Sequence, residues 1–236
     1  MEGGYRDFVI KDGLLVGDFE GLYSKFEDPW HQSRDDHVNS TRRSIAVELC
    51  SRLRSTHGEP QISRVVEYGC GFGYLTDALR QRGFSAVGVD VSSEAITKAR
   101  ARNPSSVVLC RSFEDPRLLD DLDPDVIVMA EITWYVLDHL PAFLEQLRQH
   151  AKRRDRPTYL IHLLATYSPG VQQYGKDYFT DLTGILKYFD LNYVESGVIT
   201  GYSDRREESI GTYFVANLSP TMDIPTEFAT EPNFSG

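Results

Sequence analysis

Apolar runs and amphipathic stretches alternate along the middle of the chain. Short apolar runs typical of strands lie at 64–68, 85–90, 105–110, 125–130 and 158–164. Helical spacing of apolar residues appears at 75–81 and after Asp138, and Ser92 and Asp138 are expected to cap helices. Runs at 191–200 and 209–217 predict an antiparallel pair. The pattern predicts a three-layer α/β/α sandwich with a seven-stranded, mostly parallel sheet whose last strand is antiparallel.

The segments on either side of this core predict a smaller N-terminal part and a tail. Within residues 1–58, Asp12-Gly13 predicts a hairpin over 8–17, followed by a loop around Asp28-Pro29-Trp30 and a helix at about 38–54. Residues 59–219 are expected to form the core domain. Residues 220–236 are rich in Pro, Thr, Glu and Ser and are expected to be a flexible tail.

The bulk composition favours a cytoplasmic protein without a membrane or nucleic-acid partner. The 236 residues suit one domain, no apolar run approaches the roughly 20 residues of a membrane span, and the start lacks signal-peptide features. A formal charge of −10 disfavours binding to phosphate backbones, and the basic clusters at 42–43 and 152–154 are interpreted as solvated helix faces. The widely spaced Cys50, Cys70 and Cys110 predict reduced thiols, and no metal is expected.

A glycine cluster between the first core strand and its helix is the first chemical signal. Glycines allow backbone to approach a ligand closely, and the helix that follows offers unpaired N–H groups. The pattern is Gly69-x-Gly71-x-Gly73, and Tyr74 occupies the position of the third glycine of the dinucleotide fingerprint. Pyrophosphate binding is therefore disfavoured, although a nicotinamide-dependent oxidoreductase on the same wound sheet stays open as an alternative.

The stretch from Val65 to Gly73 resembles the first motif of class I S-adenosylmethionine-dependent methyltransferases, which have a Rossmann-like fold. The resemblance implies that Glu67, Gly69, Cys70, Gly71 and Gly73 hold the methionyl half of S-adenosylmethionine. It also implies that Val91 packs against adenine, and that Ser112 and Phe113 replace the family's usual Asp-hydrophobic pair at the adenine amino group. Asp90, at the end of the second core strand, can accept hydrogen bonds from both ribose hydroxyls.

Polar and aromatic residues near strand ends are the candidates for the acceptor side. Methyl transfer requires an acceptor atom held in line and, for a hydroxyl acceptor, a general base. The catalytic candidates are His31, Glu131, His162 and Tyr135, with Glu131 also facing the cofactor. Candidates for acceptor binding are Trp30, Trp134, Tyr135, Tyr167 and Tyr174. Core roles remain open for His162, Trp134 and Tyr135, and a structural loop role remains open for His31.

Two further stretches bear on the acceptor. Asp28-Pro29-Trp30 and residues 130–138 are similar to the nodulation methyltransferases that N-methylate a chito-oligosaccharide, and to enzymes of polysaccharide and natural-product clusters. The similarity implies a small polar acceptor, a sugar, amino sugar or natural-product intermediate, methylated at N or O by a monomer or homodimer. A protein acceptor and a cofactor-binding protein without catalysis stay open as alternatives.

Overall fold

Strands and helices alternate from residue 64 to residue 166, as the apolar runs predict. The computed structural model describes residues 4, 6–34, 37–57, 62–167, 172, 174–202 and 208–219. The strands are β1 Ile10–Lys11, β2 Leu14–Leu15, β3 Arg64–Tyr68, β4 Ser85–Asp90, β5 Val108–Cys110, β6 Val126–Ala130, β7 Tyr159–Thr166, β8 Asn192–Tyr202 and β9 Glu208–Asn217. The helices are α1 Arg6–Val9, α2 Phe19–Lys25, α3 His37–His57, α4 Tyr74–Gln81, α5 Ser93–Arg102, α6 Leu118–Leu122, α7 Leu140–Lys152 and α8 Leu182–Phe189.

One sheet of the described residues has the order β5-β4-β3-β6-β7-β9-β8. Its first five strands are parallel to one another, and β9 runs antiparallel to both β7 and β8. The strand order reverses beside β3, where β4 lies on one side and β6 on the other. The predicted fold class is confirmed, and such a switch point is where open α/β sheets bind ligands.

Apolar side chains cover both faces of the central strands. Val66 and Tyr68 of β3 belong to one buried cluster, which also contains the core residues of α7 and α8. Val65 belongs to a second cluster on the opposite face, with Leu49 of α3 and Leu79 of α4. Because alternate residues of each strand enter different clusters, the runs are apolar without interruption, as expected for a doubly covered sheet.

The N-terminal part contains the expected hairpin and helix. β1 pairs with β2 around Asp12 and Gly13, whose φ angles are +51° and +77°. Positive φ at both central residues is the requirement of a tight two-residue hairpin turn, which explains the Asp-Gly pair. Helix α2 was not predicted; Asp18 caps it by accepting a hydrogen bond from the Gly21 N–H, at 2.8 Å.

Several local expectations are corrected. The third core strand begins at Val108 instead of 105, because Asn103 accepts hydrogen bonds from both the N–H and the hydroxyl of Ser105 in a turn. Ser92 caps α5 as expected, whereas Asp138 caps no helix and accepts a hydrogen bond from the Tyr178 hydroxyl at 2.7 Å. Helices α6 and α8 were not predicted. The proposed tail, from residue 220, lies outside the described residues.

The basic clusters are solvated helix faces only in part, since Lys152 and Arg153 are exposed whereas Arg154 is not. The Arg154 side chain is 6% exposed and donates to Asp125, which is fully buried and also accepts from the N–H groups of Ser63 and Arg64. This network joins the N-terminal ends of β3, β6 and β7. Arg42 and Arg43 lie along a cavity that is described below. No helix of the described residues is long and apolar enough to cross a membrane.

Candidate functional site

A cavity of about 360 Å³ opens where the carboxyl ends of β3, β4 and β6 meet the N-terminal part. The sheet side contributes the residues around Gly69, Asp90 and Glu131, and α2 and α3 with the loop between them contribute the opposite side. The volume lies at the low end of the roughly 300–1,000 Å³ range for small-molecule sites. The switch point of the sheet therefore carries the main candidate site.

The glycine turn brings backbone to the floor of this cavity. Gly69, Gly71 and Gly73 have φ angles of +69°, +51° and +73°. A Cβ on Gly69 would overlap the Ile132 side chain, and one on Gly71 would overlap Gln32. The left-handed backbone demands glycine at both positions, and lack of space adds to this demand at Gly69. Gly69 and Cys70 line the cavity, while the buried Gly73 caps α4.

Asp90 ends β4 beside this turn. Its carboxylate accepts hydrogen bonds from the Gly71 N–H at 2.8 Å and from the Ser92 N–H at 3.0 Å, one on each oxygen. Each oxygen has a second lone-pair direction, so the group can still accept two hydroxyl donors. Burial raises the pKa of Asp90 above its ordinary value, and the backbone N–H groups act in the opposite direction.

Glu67 lies inside β3, one residue below the end of the strand. It is 5% exposed, accepts a hydrogen bond from the Thr76 hydroxyl and still lines the cavity. Burial raises the pKa of Glu67 to about 8, with the Thr76 hydroxyl acting in the opposite direction. A neutral acid that becomes an anion beside a cation is an arrangement suited to a positively charged ligand.

At one end of the cavity the expected adenine positions are only partly brought together. Val91, which is 56% exposed, and Phe113 line this end with Arg111. Phe113 packs against Tyr68 at a centroid distance of 5.6 Å. Ser112 is exposed, its hydroxyl accepts from the Glu114 N–H, and it is not among the lining residues. The Ser112 side chain thus points away from the cavity.

Glu131 occupies the end of β6 in a strained conformation. Its φ is +65°, which is uncommon for a residue with a side chain. The Ala165 N–H donates to Oε2 at 2.8 Å, and Arg42 Nη1 lies 3.3 Å from Oε1, which is buried and makes no hydrogen bond to the described residues. The strained backbone fixes a carboxylate at the cavity wall.

Aromatic rings form the walls around Glu131. Trp30 and Phe19 pack on Tyr135 at centroid distances of 5.5 and 5.4 Å. Trp134 is 5% exposed, donates its indole N–H to the Ala165 carbonyl at 2.9 Å and packs on Phe179. Trp30, Trp134, Tyr135 and Tyr167 all line the cavity. Trp134 serves the core and the cavity at once.

The structure brings neither candidate histidine to this cavity. His162 is fully buried, stacks on Phe214 at 4.7 Å and shares a 2.7 Å hydrogen bond with the Thr133 hydroxyl. Burial lowers the pKa of His162 to about 3, so it is a weak base. His31 is exposed, and neither histidine is among the lining residues. Tyr174 packs against the core cluster and does not line the cavity either.

Residues that the sequence reading missed come from the N-terminal part. Asp28 accepts from the N–H groups of Gln32 and Ser33 and so shapes the loop, and Gln32 Oε1 accepts from the Phe72 N–H at 3.0 Å. Tyr23, Asn39, Arg42 and Arg43 also line the cavity. The i, i+3, i+4 spacing of Asn39, Arg42 and Arg43 could have indicated a shared helix face. No group of three or more His, Cys, Asp or Glu in the described residues could hold a metal ion.

Comparison with known proteins identifies the family of this fold and site. A profile of the methyltransferase domain family matches residues 38–194. The chain belongs to this family. The resemblance to class I methyltransferases is confirmed, and with it the expectation that the cofactor is S-adenosylmethionine. The family match decides against the nicotinamide-dependent oxidoreductase.

Individual relatives match part of this methyltransferase. A malonyl-[acyl-carrier protein] O-methyltransferase from Hamiltonella defensa is 31% identical over 88 residues, 37% of this chain and 34% of that protein. Nodulation protein S from Azorhizobium caulinodans is 28% identical over 109 residues, 46% of this chain and 49% of that protein. The chain thus spans between a third and a half of these curated relatives.

The fold agrees with a solved methyltransferase structure over most of both chains. N-methyltransferase NodS from Bradyrhizobium japonicum, in complex with S-adenosyl-L-homocysteine, matches with a TM-score of 0.57 at 18% identity. The match covers 84% of this chain and 97% of that chain. At this identity the likeness concerns the fold.

Proposed function

We propose that this methyltransferase transfers a methyl group from S-adenosylmethionine to a nitrogen or oxygen atom of a small polar acceptor. A sugar, an amino sugar or a natural-product intermediate would meet this description. The observation that carries the proposal is the carboxylate of Glu131, held by a strained backbone among aromatic rings at the cavity wall. When bound, the cofactor supplies an electrophilic methyl group on its sulfonium.

The sheet side of the cavity fits this cofactor. Asp90 would accept hydrogen bonds from the two ribose hydroxyls, and Val91 and Phe113 would contact adenine. Glu67 would lie near the positively charged methionyl half, beside the turn at Gly69 to Gly71. A pyrophosphate would meet repulsion from an ionised Glu67 instead, which agrees with the position of Tyr74.

Glu131 and the aromatic walls define the acceptor end. The carboxylate can accept a hydrogen bond from an amine or a hydroxyl, which orients the acceptor atom and can take up its proton. Trp30 and Tyr135 offer flat apolar faces that suit a sugar ring or an amine and exclude water. With His162 and His31 outside the lining, Glu131 is the proposed acceptor-side residue, and Tyr135 assists it.

The size of the cavity supports a small acceptor. About 360 Å³ must contain the cofactor and the reacting end of the acceptor. A large acceptor would therefore enter only with a terminal group. One relative carries the name of an O-methyltransferase and another is an N-methyltransferase, which supports acceptors with either atom.

Transfer of labelled methyl from S-adenosylmethionine to amino sugars, neutral sugars and phenols tests the proposal. Glu131→Gln keeps an oxygen for the Ala165 N–H but removes the charge. We expect turnover to fall by about tenfold to a hundredfold, because one charged hydrogen bond to the acceptor is lost, with a change of less than about threefold in S-adenosylhomocysteine affinity. Glu145→Gln, an exposed change on α7, is the control and should keep the full rate.

Each contrary result has a distinct meaning. No affinity for S-adenosylhomocysteine in calorimetry would refute the whole proposal. Tight binding without transfer to any acceptor of the panel would indicate a cofactor-binding protein or a macromolecular acceptor. Normal turnover in Glu131→Gln would remove Glu131 from the acceptor side while leaving the cofactor assignment intact.

A further inference from the structure

The end of the cavity where adenine is expected, here termed the base end, is lined by Val91, Arg111 and Phe113. Val91 is 56% exposed, so the base end opens to solvent. Phe113 is half-buried, and its ring packs on Phe143 at a centroid distance of 4.1 Å. The side chains that line this end are therefore two apolar groups and one guanidinium.

The polar side chains that follow β5 are engaged away from the base end. Ser112 is exposed, and its hydroxyl accepts a hydrogen bond from the Glu114 N–H at 3.1 Å. The Glu114 carboxylate lies 2.9 Å from His139 Nδ1. The Asp115 carboxylate accepts from Arg111 Nε at 2.7 Å. Ser112, Glu114 and Asp115 are not among the lining residues, so their oxygens do not face a base bound there.

The guanidinium that does line the base end cannot bind the 6-amino group of adenine. Arg111 has N–H donors and no acceptor, and an amino group is itself a donor. Backbone oxygens at this end also have partners. The Ser112 carbonyl accepts from the Asp115 N–H at 3.1 Å, and the Val91 carbonyl accepts from the Cys110 thiol at 3.5 Å.

We propose that the base end binds the purine of the cofactor through apolar contact with Val91 and Phe113, and that it does not select for the 6-amino group. This inference rests on the proposed function, because the purine belongs to S-adenosylmethionine. A site that hydrogen-bonds a polar group rejects an analogue without that group, since the partner is then left unpaired. The side chains at the base end provide no such partner. Cofactors altered at the 6-amino group are therefore accepted, whereas Asp90 selects for the ribose hydroxyls.

Calorimetry with four nucleosides tests this selectivity. The probes are S-adenosylhomocysteine, its analogue with hydrogen in place of the 6-amino group, its N6-methyl analogue and its 2′-deoxy analogue. We expect the first three to bind within about threefold of one another. The 2′-deoxy analogue is the matched control, because it also lacks one polar group, and it should bind about tenfold more weakly through the loss of a hydrogen bond to Asp90. A tenfold loss (order of magnitude) for the analogue without the amino group would overturn the proposal.

Two substitutions assign the contacts at the base end. Ser112→Ala should keep the affinity for every probe within about twofold, because the Ser112 side chain points away from the cavity. Phe113→Leu should weaken S-adenosylhomocysteine and both analogues altered at the amino group by the same factor, about threefold to tenfold, because each loses the same apolar contact. A loss in Ser112→Ala that affects S-adenosylhomocysteine but not the analogue without the amino group would show that Ser112 binds this group.

The remaining outcomes separate this inference from the proposed function. Wild-type affinities in Phe113→Leu would overturn the apolar contact and leave the cofactor assignment intact. Full affinity of wild type for the 2′-deoxy analogue would show that the ribose does not lie at Asp90, and the base end would then be wrong as well. Failure of wild type to bind S-adenosylhomocysteine at all would instead refute the proposed function.

Discussion

At the scale of single residues, the burial of Glu67 makes its protonation state sensitive to a charged ligand. The side chain is enclosed by the sheet and α4, and its hydrogen bond from Thr76 does not offset the loss of water. Burial therefore favours the neutral acid, with a pKa of about 8 in place of 4.5. At Asp90, hydrogen bonds from two backbone N–H groups offset more of the loss of water around the carboxylate.

The raised pKa of Glu67 makes folding stability depend on pH. Between about pH 4.5 and pH 8 the folded chain keeps a proton that the unfolded chain releases, so the free energy of unfolding falls as the pH rises. We expect Glu67→Gln to remove a fall of up to about 4 kcal/mol between pH 5 and pH 8 in the ligand-free protein. Urea denaturation at the two pH values measures it. Glu67 would not be the origin if the unfolding free energy of Glu67→Gln fell between the two pH values as much as that of wild type. It would not be the origin either if the surface control Glu145→Gln also lost the fall.

The sequence allowed some of these residues to be assigned and not others. Gly69, Gly71, Asp90 and Glu131 follow strand ends, and parallel strands bring their carboxyl ends to one edge. Arg42 depends on how α3 packs across the chain, and charge patterning alone favoured solvent. His162 lies within β7, where alternation of side chains leaves the face undecided, and only the sheet order shows that it lies against Phe189 and Phe214.

At the scale of elements, α2 is placed by tertiary contacts. Seven residues are too few for a stable isolated helix, which explains why its pattern gave no prediction. Lys98 of α5 donates to the carbonyls of Tyr23 and Phe26 at the C-terminal end of α2. Glu20 of α2 accepts from the hydroxyls of Ser92 and Ser93. These contacts hold α2 and the loop that follows it over the glycine turn.

Removing the Lys98 contact should loosen this cover. Lys98→Met keeps the apolar stem but loses both carbonyl contacts at the end of α2. We expect faster amide hydrogen exchange in residues 19–34. We also expect the affinity for S-adenosylhomocysteine to be weaker by about threefold to tenfold, because Tyr23, Trp30 and Gln32 line the cavity. Hydrogen-exchange mass spectrometry and calorimetry measure the two effects. The exposed change Lys187→Met on α8 should alter neither, and unchanged exchange in Lys98→Met would show that α2 is held by other contacts.

At the scale of the whole molecule, the buried ion-pair network and the candidate site lie at opposite ends of the strands. The N-terminal ends of β3, β6 and β7 are joined by Asp125 and Arg154, whereas the opposite ends carry strained Glu131 and the glycine turn. His162 lies between these ends in the core, with a pKa of about 3. Two buried titratable groups, His162 and Glu67, thus shift in opposite directions within one sheet.

Their combined effect is a plateau of stability at mildly acidic pH. For His162 the folded pKa is depressed, so the unfolded chain binds more protons between about pH 3 and pH 6.5 and stability falls on acidification through that range. For Glu67 stability falls as the pH rises from about 4.5 to about 8. The two slopes cancel between about pH 4.5 and pH 6.5. Of these two contributions, the Glu67 slope continues above this interval and the His162 slope continues below it.

Replacing His162 should therefore remove the plateau and leave the Glu67 slope in its place. In His162→Phe the ring still stacks between Phe189 and Phe214, but Thr133 loses its partner, which costs about 1–3 kcal/mol at every pH. Relative to wild type, we expect the unfolding free energy to gain up to about 3 kcal/mol on acidification from pH 6.5 to pH 4, so that a rise caused by Glu67 replaces the plateau, with the alkaline side unchanged. The exposed change His139→Asn should retain the plateau. A plateau in His162→Phe like that of wild type would show that His162 is not the group that offsets the Glu67 slope there.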